Sequence, residues 1–193
     1  MVGILKRFSI VATISVLTVM GCVSLRATTY EAVTFDQLVS QADVIFVGTV
    51  VDTTPFAINT RQGTIIKTRV TFSVSDPIYG SSNVQQVLEF MGGELNDVGL
   101  AVAGMPKFAI GDRRVVFARK DNSINPIVGF TQGLLRVVRG GDGVDRVQTL
   151  DGQPLARAED IGTRRVAATT SVTPIGLAQF RSRITDALHQ RKQ

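Results

Sequence analysis

The chain has 193 residues and a formal net charge of +5, and it contains one cysteine and no tryptophan. A single cysteine excludes an internal disulfide, so a packed core must stabilise the fold, and a chain of this length can bury one. The positive charge lies at the two ends: residues 1–27 carry +3 and residues 157–193 carry +4, whereas residues 28–156 carry −2. A nucleic-acid-binding domain concentrates basic side chains on its folded surface, so this distribution argues against nucleic acid as a partner.

The N-terminus has the pattern of an export signal. Lys6 and Arg7 precede an apolar run over residues 10–20, which ends just before Cys22. A positive segment followed by about 7–15 apolar residues is typical of a secretory signal. A membrane-spanning helix needs about 20 apolar residues, roughly twice the length of this run. We therefore predict a signal peptide over residues 1–21 and export from the cytoplasm.

The junction after this signal has two main interpretations. Residues 19–21, Val-Met-Gly, followed by Cys22, resemble a bacterial lipobox, in which the cysteine becomes acylated. That interpretation predicts a lipoprotein at the outer membrane or cell surface, with residues 22–33 as a tether. The alternative is ordinary signal cleavage after Ala27, which would leave a periplasmic or secreted protein. An uncleaved anchor is a third alternative.

Residues 34–51 predict a short helix followed by a buried strand. Thr34 and Gln37 have the spacing of a capping box, and the residues after them give a helix with one apolar face. The run over residues 44–51 has the length and composition of a strand. Gly48 within that run indicates a bulge or a bend, as barrels require.

A strict alternation of apolar and polar side chains follows between residues 65 and 75. Period two is typical of a half-buried strand, and it directs Lys67 and Arg69 outward. We place four side chains in the interior of the fold: Phe46, Val70, Phe72 and Phe117. Further strands are predicted over residues 84–91, 114–119, 134–139 and 144–150.

The C-terminal part predicts a linker and a helix. Residues 152–172 are small and polar without a period, which is typical of a linker. Residues 173–190 have helical apolar spacing behind a Thr-Pro start, and they predict an amphipathic helix. The region between, residues 34–151, is predicted to be an all-β domain. Its five or six strands favour a closed barrel, because closure removes exposed strand edges.

Candidate binding residues lie in the longest predicted loop, residues 92–111. Loops carry recognition in all-β folds, and this one contains the candidates Glu94, Leu95, Asp97, Leu100 and Met105. Its apolar side chains either pack back over the barrel or contact another protein. A hydrolytic carboxylate pair drawn from Glu89, Glu94 and Asp97 is a weaker hypothesis, because solvated loop carboxylates are far more common. The single histidine, His189, lacks partners for a metal site.

Two segments carry a family resemblance. Residues 42–50, ADVIFVGTV, and residues 71–80, TFSVSDPIYG, resemble netrin-like modules, of which the N-terminal domain of the tissue inhibitors of metalloproteinases is the best-known member. A closer similarity is to uncharacterised secreted bacterial proteins that share Gly92-Gly93 and the GMPKF motif of residues 104–108. The resemblance covers roughly residues 34–139, and it implies a five-stranded barrel of the oligonucleotide/oligosaccharide-binding type.

The function of the metalloproteinase inhibitors does not follow from this resemblance. The inhibitors have many disulfides, which this chain cannot form, and they chelate the protease zinc through a free N-terminal cysteine. Cys22 is the residue that could correspond to that cysteine, but lipobox processing would acylate its amine. The inhibitory function is therefore carried over to no residue here. We therefore expect a non-catalytic binding module with a protein partner at the envelope. A metalloprotease is one candidate for that partner. We expect no cofactor, metal or nucleic acid. A structural envelope lipoprotein without a specific ligand is the alternative.

The lipobox interpretation has a direct test at Cys22. If this cysteine is acylated, the protein partitions into the detergent phase and incorporates a palmitate analogue, because each buried CH₂ contributes about 0.8 kcal/mol to anchoring. The Cys22→Ser variant should lose the label and accumulate as precursor in the membrane. A soluble mature form that begins at Thr28 would contradict the prediction and favour simple secretion.

Overall fold

The computed structural model describes residues 31–80, 83–121, 124–163 and 172–191. The predicted signal peptide and the lipidation candidate Cys22 lie outside the described residues. None of the helices in the described ranges is both long enough and apolar enough to span a membrane.

The described chain is mostly β structure with a helix near each end. Six strands form one antiparallel sheet in the order β3-β2-β1-β6-β7-β8, and β4 and β5 form a separate hairpin. Two α-helices and one 3₁₀ helix accompany them. In chain order the elements are α1 (Phe35–Gln41), β1 (Val44–Thr60), β2 (Gly63–Tyr79), β3 (Gln85–Met91), β4 (Gly93–Leu95), β5 (Val98–Leu100), β6 (Arg113–Ala118), β7 (Leu134–Arg139), β8 (Asp145–Gln148), the 3₁₀ helix (Ala158–Asp160) and α2 (Leu177–Arg191).

Helix α1 begins at the predicted capping box. The Gln37 N–H donates to Thr34 Oγ1 at 3.2 Å, and the Thr34 N–H donates to Gln37 Oε1 at 2.8 Å. At the other end of the helix, the Arg191 guanidinium donates to the carbonyl oxygens of Val39 and Ala42 at 3.4 and 3.3 Å. A cation at a helix C-terminus complements its dipole, so the last residue of α2 caps α1.

Strands β1 and β2 are much longer than predicted, because each continues through a proline. Pro55 lies in the part of β1 that pairs with β2 alone, since β6 pairs only with residues 44–49. Pro77 likewise lies beyond the part of β2 that pairs with β3. A strand tolerates proline where one of its sides makes no ladder, so neither proline ends its strand.

The first part of β1 is covered on both faces, which explains the apolar run with which the strand begins. We call the face under the helices the helix-covered core, and it contains Ile45, Val47, Phe117 and Phe180. The opposite face forms the sheet-enclosed core, composed of Val44, Phe46, Val50, Val70, Phe72, Leu88, Phe90, Val116, Ala118, Ile127 and Leu134. Phe46, Val70 and Phe72 thus share one interior as predicted. Phe117 lies on the other face because successive strand residues alternate.

The prediction of a closed barrel is wrong. The end strands β3 and β8 do not pair with each other, although the sheet is strongly curved. Leu88 of β3 and Leu134 of β7 belong to the same core, yet their strands are four steps apart, about 19 Å in a flat sheet. Within the described residues, one backbone bond crosses the open side, from the Met91 N–H to the Ile124 carbonyl at 2.9 Å.

The β8 edge has its own cover, which explains why β3 does not pair there. Bridges join Gln148 to Pro154 and Arg146 to Gly176, so two chain segments lie along β8. The segment before the 3₁₀ helix and the segment between that helix and α2 therefore take the positions that a closing strand would occupy. This edge is satisfied without closure.

Part of the predicted linker packs into the fold. Leu155, Ala158 and Ile161 are buried in the helix-covered core, whereas residues 164–171 lie outside the described residues. Ile175 donates its N–H to the Leu155 carbonyl and accepts from the Val147 N–H. These bonds attach Ile175 to the edge of the sheet. Helix α2 therefore begins at Leu177, after Ile175, and not at the predicted Thr-Pro pair of residues 173–174.

Candidate functional site

The predicted loop over residues 92–111 contains a hairpin, and we call this whole segment the flap. Its strands β4 and β5 pair antiparallel through a two-residue turn at Asn96 and Asp97, whose φ angles are 49° and 63°. Two consecutive positive φ angles are typical of a type I′ hairpin turn, which asparagine and aspartate tolerate. Asp97 therefore serves the turn, and its side chain and that of Glu94 are exposed.

Two glycines attach the first end of the flap to the sheet. The Gly92 N–H donates to the Ile66 carbonyl at 2.8 Å, and Thr68 Oγ1 donates to the Gly92 carbonyl at 2.7 Å. Both glycines have positive φ, 103° at Gly92 and 139° at Gly93. A Cβ at Gly93 would lie 2.5 Å from Thr68 Oγ1. Only glycine permits this close approach.

An ion pair between the half-buried Asp112 and the buried Arg114 attaches the second end. Asp112 Oδ2 accepts from the Ala109 N–H at 3.0 Å and from Arg114 Nη2 at 2.7 Å, and Arg114 is only 6% exposed. Burial opposes ionisation of Asp112, but the Ala109 N–H and the Arg114 guanidinium together hold its pKa below the ordinary value. Two backbone bonds, from Gly111 to Val50 and from Val50 to Asp112, continue the attachment.

The flap encloses a groove of about 430 Å³ against the sheet-enclosed core. Phe108 is one of its lining residues, with ring centroids 5.8 Å from Phe72 and 4.8 Å from Phe90. Its walls are mainly apolar, with two threonine hydroxyls and one lysine. The described lining residues are Thr53, Thr68, Val70, Phe90, Met91, Gly92, Gly93, Leu100, Ala101, Val102, Met105, Pro106, Lys107 and Phe108. Binding pockets of about 300–1,000 Å³ with this kind of lining accept apolar groups.

The structure brings two of the five candidate residues to the groove. Leu100 and Met105 line it, whereas Leu95 is half-buried on the hairpin and Glu94 and Asp97 point away to solvent. Some apolar side chains of the flap pack against the sheet and others are exposed. Met105 packs against the sheet-enclosed core, whereas other flap side chains, those of Val98 and Ile110, are 63% and 71% exposed.

Several residues that line the groove were not among the candidates predicted from the sequence. Thr68 carried a usable signal, because it is a polar residue on the apolar face of a strictly alternating strand. Phe108 carried another, since a lone aromatic after Gly-Met-Pro in a glycine-rich stretch has to pack somewhere. Thr53 carried none, because the strand that holds it was expected to end at residue 51.

The three carboxylates of the hydrolytic hypothesis lie outside the described lining of the groove. Glu89, on β3, accepts from Arg69 at 3.1 Å and lies 3.8 Å from the Lys67 ammonium. Glu94 and Asp97 lie on the exposed hairpin. Across the ranges that the structure describes, no group of three or more histidine, cysteine, aspartate or glutamate side chains could hold a metal ion.

No family model, curated protein or solved structure matches the chain. The netrin-like resemblance of residues 34–139 therefore stays a prediction.

The double glycine yields a matched pair of variants. Gly93→Ala should reduce the free energy of unfolding by about 1–3 kcal/mol, because it forces a side chain into a left-handed backbone and against Thr68. Gly99→Ala should be neutral or slightly stabilising, since nothing lies within 4 Å of the position that its Cβ would take and its φ is not positive. Urea denaturation of both variants tests this, and equal midpoints would contradict the attachment.

The Asp112–Arg114 pair predicts a pH dependence of stability. A carboxyl with a lowered folded pKa stabilises the fold above its unfolded value, near 3.8, and that contribution is lost as the pH falls through the folded pKa. Asp112→Asn should therefore cost about 1–3 kcal/mol at neutral pH and progressively less in acid. Denaturation over a pH series measures the difference, with Asp97→Asn as an exposed control. A difference that does not change with pH would contradict the charged pairing.

Proposed function

We propose that this protein is an exported, non-catalytic binding module that holds an apolar side chain of a protein partner in the groove beneath the flap. One observation carries the proposal: a preformed apolar groove of about 430 Å³, with Leu100 and Met105 on the flap side and Val70 and Phe90 on the sheet side. Buried apolar anchors that enter such pockets dominate the energy of many protein interfaces.

The surroundings of the groove favour a protein over a free small molecule. Val98 and Ile110 are 63% and 71% exposed on the same flap, so apolar surface continues beyond the groove. Lys107 supplies a cation among the lining residues, which suits a carboxylate on a partner. A surface of this kind, an apolar pocket within a wider apolar and charged rim, matches the anatomy of protein interfaces.

The attachment of the flap at both ends favours binding as well. Gly92 and Gly93 seat the first end, and Asp112 with Arg114 seats the second. The groove therefore exists before a partner arrives, and little conformational entropy is lost on association. Preorganisation of this kind raises affinity mainly by lowering that entropic cost.

The proposed location and partner class rest on the sequence. Export and acylation at Cys22 would place the module at the outer membrane or cell surface, and simple cleavage would leave it periplasmic or secreted. Its partner would then be an envelope or extracellular protein. The netrin-like resemblance suggests a metalloprotease as the first class to test.

A specific observation favours the alternative of a structural envelope lipoprotein. Phe108 packs edge-on against Phe72 at a centroid distance of 5.8 Å and is tilted against Phe90. A flap that only covers the core for stability would show the same aromatic contacts. In that case, the apolar lining would serve the fold and no ligand would enter.

Site-specific crosslinking distinguishes the two functions. A photo-crosslinking residue is placed at Leu100 in the groove and, as a control, at Val144, which is 46% exposed outside the flap. Expression of the full chain in its own cells should give one discrete adduct from position 100 and none from position 144. The adduct identifies the partner, which is then purified. Absence of an adduct at position 100 supports the structural alternative.

Two substitutions on β5 then measure the role of the groove. Leu100→Ser should raise the Kd for the purified partner at least about tenfold, because it removes an apolar wall of the groove. Val98→Ser, two residues away and outside the lining, should change the Kd little. The Tm of each variant should fall by no more than about 4 °C, as expected for a loss of about 1 kcal/mol. A much larger fall for Leu100→Ser would show a structural lid instead.

A further inference from the structure

The open side of the sheet contains a second, charged cleft that the groove does not use. It has a volume of about 170 Å³ and lies along the edge of β3 that pairs with no other strand of the described residues, opposite the chain that leaves β6. We call it the seam cleft. Its described lining residues are Val44, Lys67, Gln86, Val87, Leu88, Glu89, Arg119, Lys120, Asp121 and Pro126.

The backbone of β3 presents hydrogen-bond donors to this cleft. The Gly92 N–H bonds to Ile66 of the neighbouring strand, whereas the Met91 N–H points the other way, to Ile124. Backbone groups in an antiparallel ladder alternate, so the N–H groups of Val87 and Glu89 point outward like that of Met91. They lie at intervals of about 6.8 Å, which is the spacing that an added strand requires.

The charges on the cleft walls are unequal. Glu89 is already engaged by Lys67 and Arg69, and Asp121 lies 3.4 Å from Arg119. Lys120 adds a further cation: its ammonium donates to the Gly80 carbonyl at 3.2 Å, and its backbone N–H donates to Asp43 Oδ2 at 2.8 Å. The cleft and these neighbours thus carry four cations against three carboxylates, an excess that favours an incoming segment with carboxylate side chains.

We propose that the seam cleft binds an extended, acidic segment of a protein partner, which adds to β3 as a seventh strand. The main chain of the segment would bond to the outward N–H groups of Val87 and Glu89. Side chains of an added strand alternate in direction, so its carboxylates would meet the cationic walls on one face. An uncharged apolar strand would bury these charges without offering them partners, and that cost protects the edge from indiscriminate pairing.

The test uses fluorescein-labelled decapeptides of alternating Glu and Val, and of alternating Gln and Val, with the full chain purified in detergent. The Glu peptide should bind in a salt-sensitive manner, and the Gln peptide should bind at least about tenfold more weakly. Binding should be reduced at least about tenfold in Arg119→Gln, whose cation lines the cleft. Equal binding of the two peptides would overturn the proposal.

A proline substitution isolates the backbone contribution. Val87→Pro removes one outward N–H but no bond to β2, so it should leave Tm nearly unchanged and abolish peptide binding. Val87→Thr keeps the N–H and should bind within about twofold of the parent. Unchanged binding by Val87→Pro would overturn strand addition. Leu100→Ser should leave this binding intact, so failure here is distinct from failure of the groove.

Two further measurements keep the proposal testable if Val87→Pro fails to fold. Hydrogen exchange at the amides of Val87 and Glu89 in the parent protein should slow when the Glu peptide is added, and unchanged exchange would overturn the proposal. Light scattering tests whether a second copy of the chain occupies the β3 edge instead. A dimer that the Glu peptide does not dissociate would show that a second copy of the chain pairs with β3, which would also overturn it.

Discussion

Burial of β1 on both faces is the constraint on which the rest of this structure depends. The side chains from Val44 to Val47 are fully buried, two directed to each face. One sheet therefore has to acquire two covers. The helices supply the first, and curvature of the sheet together with the flap supplies the second. Without either cover, a run of large apolar side chains would face water, at a cost of about 1.5–3 kcal/mol each.

The groove is a consequence of how the second cover is built. The flap is attached at its two ends, by a glycine pair and by the Asp112–Arg114 pair, and it leaves a groove between itself and the core. Phe108 packs against the core through its contacts with Phe72 and Phe90. The remaining volume persists because the attachments prevent the flap from collapsing further, so rigidity and an open binding surface have the same physical origin.

The two edges of the sheet differ in how far other segments of the chain cover them. Segments before and after the 3₁₀ helix bridge to β8, so that edge is satisfied within the chain. The β3 edge is spanned by the single described bond from Met91 to Ile124 and is otherwise flanked by charges. Natural proteins protect edges with charged side chains, and such an edge remains selective for a strand of complementary charge. The sheet therefore stays open at the β3 edge, to which the proposed partner strand would add.

The sequence by itself determined the local elements: the capping box of α1, the alternating strand β2, the short strands β3, β6, β7 and β8, and the apolar face of α2. These depend on neighbours within a few residues, which periodicity and capping express directly. Only the tertiary structure decided the extension of β1 and β2 through their prolines, the packing of Leu155 and Ile161, the failure of the sheet to close, and the groove beneath the flap. Each of these depends on which strand or segment covers which edge, an interaction between distant parts of the chain that no local pattern encodes.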